Sequence, residues 1–192
     1  MKFEMNLKFI DNNMFRRKGF TLIEVILAIS VLTIAVGGSF ALIQQTLISA
    51  SLNQSELVAS YLTQEGIEIV RNIRDNNWLE QRTVPGTSWD DGLTVCQDPN
   101  CCEGDYKTDI PPNLSSLVSF SNCDYNNLRY LNIDENGFYG YSGTTPTKFK
   151  RKINVTKTDA NTLEVSVDVQ WQERGRAHSI KAQDYLYNWY GY

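Results

Sequence analysis

The chain predicts an α+β fold. One long N-terminal helix, half of membrane length and half amphipathic, packs on a small antiparallel β-sheet. Three observations carry this. Val25 to Ile43 is an uncharged apolar run, no proline interrupts Phe20 to Trp78, and residues alternate with a period of two from Phe149 to Val155 and again from Leu163 to Trp171. A sustained helical pattern without breakers argues one helix, and a period of two argues strands. The chain divides into a basic leader (1–19), an apolar helix (20–43), an amphipathic helix (44–78), a cysteine-bearing section (79–146) and a sheet (147–192).

The start is the most informative stretch. Arg16-Arg17-Lys18-Gly19-Phe20-Thr21-Leu22-Ile23-Glu24 precedes the apolar run. From Phe20 to Ile43 a helix rises about 36 Å at about 1.5 Å per residue, enough to cross a hydrocarbon core of about 30 Å with tilt. The basic residues ahead of it place the N-terminus in the cytoplasm and the bulk of the chain on the other side. A secretory signal peptide has an apolar region of about 7–15 residues and a cleavage site after it. Here the run is longer and continues directly into an amphipathic helix. Glu24 is the anomaly. A carboxylate in an apolar span costs a few kcal/mol at a helix centre, so it needs a partner and a job.

This block resembles the leader of type IV pilins and type II secretion pseudopilins: a basic leader ending in glycine, then Phe-Thr-Leu-Ile-Glu, then an apolar helix. The resemblance implies a pilin-like fold, cleavage by a prepilin peptidase after Gly19, and N-methylation of the new terminus at Phe20. It implies that Glu24 pairs with the Phe20 ammonium of a neighbouring subunit, which relieves two costly charges at once and fixes register. Expected partners are the prepilin peptidase/methyltransferase, other pilin subunits, the inner membrane and an assembly platform. The chain would cross the inner membrane once and then enter an extracellular pilus or a periplasmic pseudopilus. Met1, Met5 and Met14 are all possible starts, and Met14 gives the compact leader common in the family.

With 192 residues the chain has room for one small domain beyond the span. The leader carries five basic and two acidic residues, so removing its +3 turns the whole-chain charge of −4 into −7. An acidic product argues against a general nucleic-acid binder. Lys148, Lys150, Arg151 and Lys152 form a local basic run, read here as the wet face of a strand.

From Gln44 the helix becomes amphipathic, with Leu47, Leu57, Tyr61, Leu62, Val70 and Ile73 near helical spacing. Glu68–Arg71 and Arg71–Asp75 sit at i,i+3 and i,i+4. Gly37-Gly38 is its weak point, because glycine costs about 1 kcal/mol relative to alanine inside a helix. In the pilin family this region can unwind in a filament. The segment Tyr61 to Asp75 resembles the helix of PilV-type minor pilins and of the related minor pseudopilins, and Ile67, Val70 and Ile73 read as core. Gly66 allows a close approach of a strand or loop.

Section 79–146 is rich in turn signals: Pro85-Gly86, Asp98-Pro99-Asn100, Pro111-Pro112 and Gly137 to Gly143. Leu114 to Phe120 and Leu128 to Ile133 are short apolar pieces, strands or a short helix. Asp134-Glu135-Asn136-Gly137 reads as a β-turn rather than a calcium loop, since the later acid is missing. The four cysteines Cys96, Cys101, Cys102 and Cys123 suggest disulfides in an exported domain, with three possible connectivities. A Cys101–Cys102 bridge is geometrically poor, so each should pair outward, one to Cys96 and one to Cys123. Zinc would want paired C-x-x-C spacing, which is missing. In pilins this section is variable surface, where partner specificity can reside.

In the last section Phe149, Arg151, Ile153 and Val155 alternate with Lys150, Lys152 and Asn154, and Leu163, Val165, Val167, Val169 and Trp171 alternate with polar residues. Gln172 to Arg176 is a hairpin loop, and Ile180, Ala182 and Leu186 mark a third strand. The Val-rich face should pack on the helix. The stretch from Trp171 to Arg176 and the aromatic tail Tyr185 to Trp189 resemble the end of some PilV-like proteins. The tail serves either core closure or a subunit contact.

No catalytic motif occurs, and His178 reads as a surface histidine. The expectation is a non-enzyme without cofactor, metal or small-molecule substrate, a minor pilin of a type IV pilus. Two alternatives stay open: a type II secretion pseudopilin, and an adhesin or DNA-uptake binding module on a pilin stem.

Overall fold

The computed structural model describes residues 19–108 and 117–189. The basic leader, the Pro111-Pro112 turn and the start of the Leu114–Phe120 piece lie outside the described residues. One helix, α1, runs from Leu22 to Gln81. By compactness the chain falls into two units, Met1–Ile48 and Ser49–Tyr192.

In the first unit α1 has no buried side chains, and Phe20 is 80% exposed. The helix is unbroken through Gly37 and Gly38, where an added Cβ would meet nothing.

In the second unit α1 buries one stripe: Ser55, Ala59, Leu62, Thr63, Gly66, Ile69, Val70, Ile73, Arg74, Asn77 and Trp78. Steps of three and four put these on one face. The helix ends in a turn in which Thr83 N and Val84 N donate to Glu80 O, and Pro85 follows, unable to continue it.

The stripe faces a five-stranded antiparallel sheet. Its strands are β1 (Asn100–Glu103), β2 (Val118–Ser121), β6 (Phe149–Asp159), β7 (Thr162–Glu173) and β8 (Arg176–Tyr187), in the order β2-β1-β6-β7-β8. A small sheet of β3 (Asn132–Ile133), β4 (Tyr139–Gly140) and β5 (Thr145–Pro146) lies in the middle section. The β7–β8 hairpin turns at Arg174 and Gly175, with φ 52° and 75°. Positive φ at both central residues is the turn whose twist suits a two-residue hairpin, and glycine takes it at no steric cost.

Every second residue of β7, Leu163 to Trp171, is buried, with Ile153, Val155 and Phe149 of β6 beside it. Each large aliphatic buried this way contributes roughly 1.5–3 kcal/mol before entropy costs. Leu186 joins this core, whereas Tyr185, Tyr187 and Trp189 stay exposed. Trp189 packs edge-on against Trp78, ring centroids 4.6 Å apart. The tail therefore closes the core at Leu186 and caps Trp78 at its end.

Two sequence readings are corrected. Arg151 is not on the wet face. It is fully buried on the core side of β6, where Nη1 donates to Leu62 O (3.0 Å) and Glu65 Oε2 (2.7 Å), and Nη2 donates to Gly104 O. Strand alternation places it inward, and three oxygens make burial of the charge tolerable. Arg71 bonds Glu68 at 2.5 Å but reaches across to Asp184 of β8 at 2.9 Å, while Asp75 takes Arg74 at 2.8 Å. The i,i+4 partner loses to an acid on the sheet.

Gly66 is where helix and sheet meet most closely. A Cβ there would stand 2.7 Å from Val167 Cγ1 and 3.2 Å from Arg151 Cδ. Nearer the hairpin tip, Glu173 accepts Ser51 Oγ (2.6 Å), Ser55 Oγ (2.8 Å) and Lys148 Nζ (2.9 Å). These bonds from Ser51, Lys148 and Ser55 hold its carboxyl below the ordinary 4.5, at about 2.

Two outcomes follow from this packing. Gly66→Ala should lower stability: overpacking costs typically 1–3 kcal/mol, against roughly 1 kcal/mol gained in helix propensity. Urea unfolding of the full chain in detergent reads the sign, and an alanine variant more stable than wild type would refute the close contact. Glu173 has a depressed folded pKa, so its stabilisation is present above about pH 4.5 and fades as pH falls towards about 2. The Tm advantage of wild type over Glu173→Gln should vanish across that window. A gap that stays constant would show that the clamp does not titrate.

Candidate functional site

The segment Gly19 to Glu24 is built by its own backbone. Gly19, Phe20 and Thr21 lie ahead of the helix, and α1 opens at Leu22. Val25 N donates to Thr21 O at 3.2 Å, and Glu24 N donates to Thr21 Oγ1 at 3.3 Å. Thr21 is thus the N-cap, its hydroxyl satisfying one of the helix's orphan amides. Glu24 stands three residues on, the spacing of a capping box, and a carboxylate in a first helical turn is favoured by the macrodipole. The sequence reading passed over Thr21, although the Thr-x-x-Glu spacing is itself the signal.

Among the described residues the Glu24 carboxylate has no hydrogen-bond or ion-pair partner within its own chain. It is the single charged residue between Gly19 and Ser55. The other polar groups of the span are satisfied internally. Ser30 Oγ donates to Leu27 O (2.8 Å), Thr33 Oγ1 to Ser30 O (2.9 Å), Ser39 Oγ to Ala35 O (2.8 Å) and Thr46 Oγ1 to Leu42 O (2.9 Å). Hydroxyls that bond back onto the helix leave no donor stranded in hydrocarbon. By length and composition α1 can cross a membrane.

The middle section is held by side chains gripping backbone. Cys96 bonds Cys102 and Cys101 bonds Cys123, with Cα–Cα distances of 5.2 and 5.5 Å. Adjacent residues of a strand point to opposite faces, so the two bridges leave β1 in opposite directions. Buried Glu103 accepts Arg129 N at 2.6 Å and Arg129 Nε at 2.7 Å, and the guanidinium lies 4.5 Å from the Tyr141 ring centroid. Asp105 Oδ2 accepts Tyr141 N at 2.9 Å. The Asp134–Gly137 stretch is the β3–β4 turn: Gly137 N donates to Asp134 O, and Asp134 Oδ1 accepts Asn136 N and Phe138 N. Among the described residues no cluster of three or more His, Cys, Asp or Glu side chains could hold a metal. His178 stacks on Trp171 at 5.5 Å.

The structure thus puts Gly19, Phe20 and Glu24 together at one helix start and the four cysteines in the middle section, with no shared site. Curated proteins offer no match, and neither do solved structures. Residues 14–40 match the family model of the prokaryotic N-terminal methylation motif. That motif, at the head of a helix followed by an antiparallel sheet domain, supports a type IV pilin-like protein.

Proposed function

We propose that this chain is a minor pilin of a type IV pilus, and that it works as a structural or priming subunit. The observation that carries the reading is the methylation motif joined to an exposed apolar helix with one charge. A prepilin peptidase cuts between Gly19 and Phe20, and the freed Phe20 amine is methylated. The helix is then drawn from the inner membrane into the filament core, where its apolar side chains pack on those of other subunits. Glu24 meets the Phe20 ammonium of a neighbour. Paired, the two charges avoid much of the desolvation each would suffer alone. The resemblance of the stretch from Trp171 to Arg176 and of the aromatic tail to PilV-like proteins favours a minor pilin, while residues 61–75 resemble minor pilins and minor pseudopilins alike. Neighbouring genes decide between them: a retraction motor accompanies a pilus, a secretin with secreted enzymes a pseudopilus.

Mass spectrometry of sheared filaments should find a peptide that begins at N-methyl-Phe20. Its absence from filaments that contain the chain would overturn the processing step. Glu24→Ala should still insert in the inner membrane yet be lost from filaments. Membrane fractionation alongside filament purification checks both, and normal incorporation of the variant would refute the pairing.

A further inference from the structure

We infer that the groove beside Trp78 and Trp189 is a sugar-binding site that takes one neutral pyranose ring of a glycan. Nothing in it depends on the processing or assembly proposed above. The groove lies in the second unit, near the end of α1, and holds about 250 Å³ between Asp75, Trp78, Leu79, Arg82 and Trp189. That is below the about 300–1,000 Å³ of sites for drug-sized ligands, so it suits a single ring. The two indoles meet edge to face at 68°. Trp78 is held in place: Nε1 donates to Asn188 Oδ1 at 3.1 Å, and the Arg74 guanidinium lies 4.5 Å from its ring centroid. Trp189 is 64% exposed and Leu79 61%. A tryptophan that served only to close the core would be buried, as Trp171 is at 3%.

The polar groups of the groove select the ligand. Asp75 and Arg82 belong to its lining. Both Arg74 bonds to Asp75 land on Oδ1, at 2.9 and 2.8 Å, and neither uses Oδ2. Asp75 thus keeps acceptor capacity, and the guanidinium of Arg82 carries five donors. A cation would meet Arg82 and find the Trp78 ring already covered by Arg74. An anion would meet the Asp75 carboxylate beside its one attractive partner. An apolar side chain would cover the indoles but strip water from Asp75 and Arg82 and return no hydrogen bond. A neutral sugar meets every group. The C–H face of a pyranose lies on the negative face of an indole, while its hydroxyls donate to a carboxylate and accept from a guanidinium.

The test uses the full chain in lipid nanodiscs, because many detergents carry sugar headgroups of their own. With fluorotryptophan at the four tryptophans, each indole gives a separate fluorine NMR signal. The probes are the methyl glycosides of mannose, galactose, glucose and N-acetylglucosamine. At least one should move the Trp78 and Trp189 signals with a Kd of about 1 mM and leave Trp171 where it was. Trp189→Ala should weaken that binding about tenfold, and Asp75→Asn, which keeps the shape and loses the charge, about threefold. Where Trp189→Ala lowers the melting temperature, Asp75→Asn carries the comparison. No movement with any glycoside at about 100 mM would overturn the site. So would binding that is undiminished in both variants. Tighter binding of benzyltrimethylammonium, benzoate or N-acetyltryptophanamide than of every glycoside would also overturn it, since the groove would then take a cation, an anion or an aromatic side chain.

Discussion

Position 66 carries no side chain, and the meeting of helix and sheet depends on that. Val167 of β7 sits where a Cβ would have to be, and Arg151 threads past the same spot to reach Leu62 O, Glu65 and Gly104 O. The buried guanidinium ties three elements at once: the helix, β6, and the loop that leaves β1. A charge in a core is costly unless its donors are met, and the close approach at Gly66 is what brings a helix carbonyl within reach. The glycine and the arginine are thus one device. The valines on either side supply the apolar burial, and this pair sets the register in which that burial occurs.

The two parts of α1 answer to different surroundings. From Ser55 to Trp78 the helix obeys the rule of a soluble domain, one apolar stripe against a sheet and charges elsewhere. From Leu22 to Ile43 it is apolar all round, with every Ser and Thr hydroxyl of that stretch turned back onto a helix carbonyl. That second pattern makes sense where no water is available to hydrogen-bond a stranded group. An exposed apolar helix of this kind would be a liability in solution, since patches far smaller than this one already promote association. Lipid, or the helices of other subunits, removes the liability.

The helix was legible because no proline breaks it, and the long strands because Phe149 to Val155 and Leu163 to Trp171 alternate and Ile180, Ala182 and Leu186 share one face. Leu163 to Trp171 alternates without a fault, and the structure buries every second residue there. Gly66 was legible as a point of close approach, since no other residue type permits one. Arg151 was only half legible. Its parity pointed inward with Ile153 and Val155, but its charge argued for solvent, and only the oxygens of Leu62, Glu65 and Gly104 resolve the conflict. Those come from residues 47 to 89 positions away, which no local pattern reveals. The middle section fails for a related reason. Its strands are two to four residues long, too short for a period, and it is held by Glu103 on Arg129, Asp105 on Tyr141 and two disulfides. Side chain to backbone contacts of that sort leave no repeating trace. At the N-terminus the motif was plain, yet the role of Thr21 came from geometry.

Glu24 answers two demands that can be separated by magnitude. As the third residue of the helix it stands at the spacing of a capping box, where glutamine is also found, but its carboxylate makes no bond back to the Thr21 amide. The negative charge adds a macrodipole gain of about 0.3–1 kcal/mol at an exposed helix start. A charge carried into a hydrocarbon interior costs a few kcal/mol, more than that gain returns. Its place in the first turn therefore does not by itself explain why position 24 carries an ionisable side chain. In the single chain the carboxylate has no partner among the described residues, and the span offers no cation. On the proposed reading cleavage makes one, the Phe20 ammonium, four residues away in sequence and repeated on every subunit. The charge at position 24 then has a use only after processing and only in company, which ties the chemistry at Gly19 to the assembly of the helix that follows it.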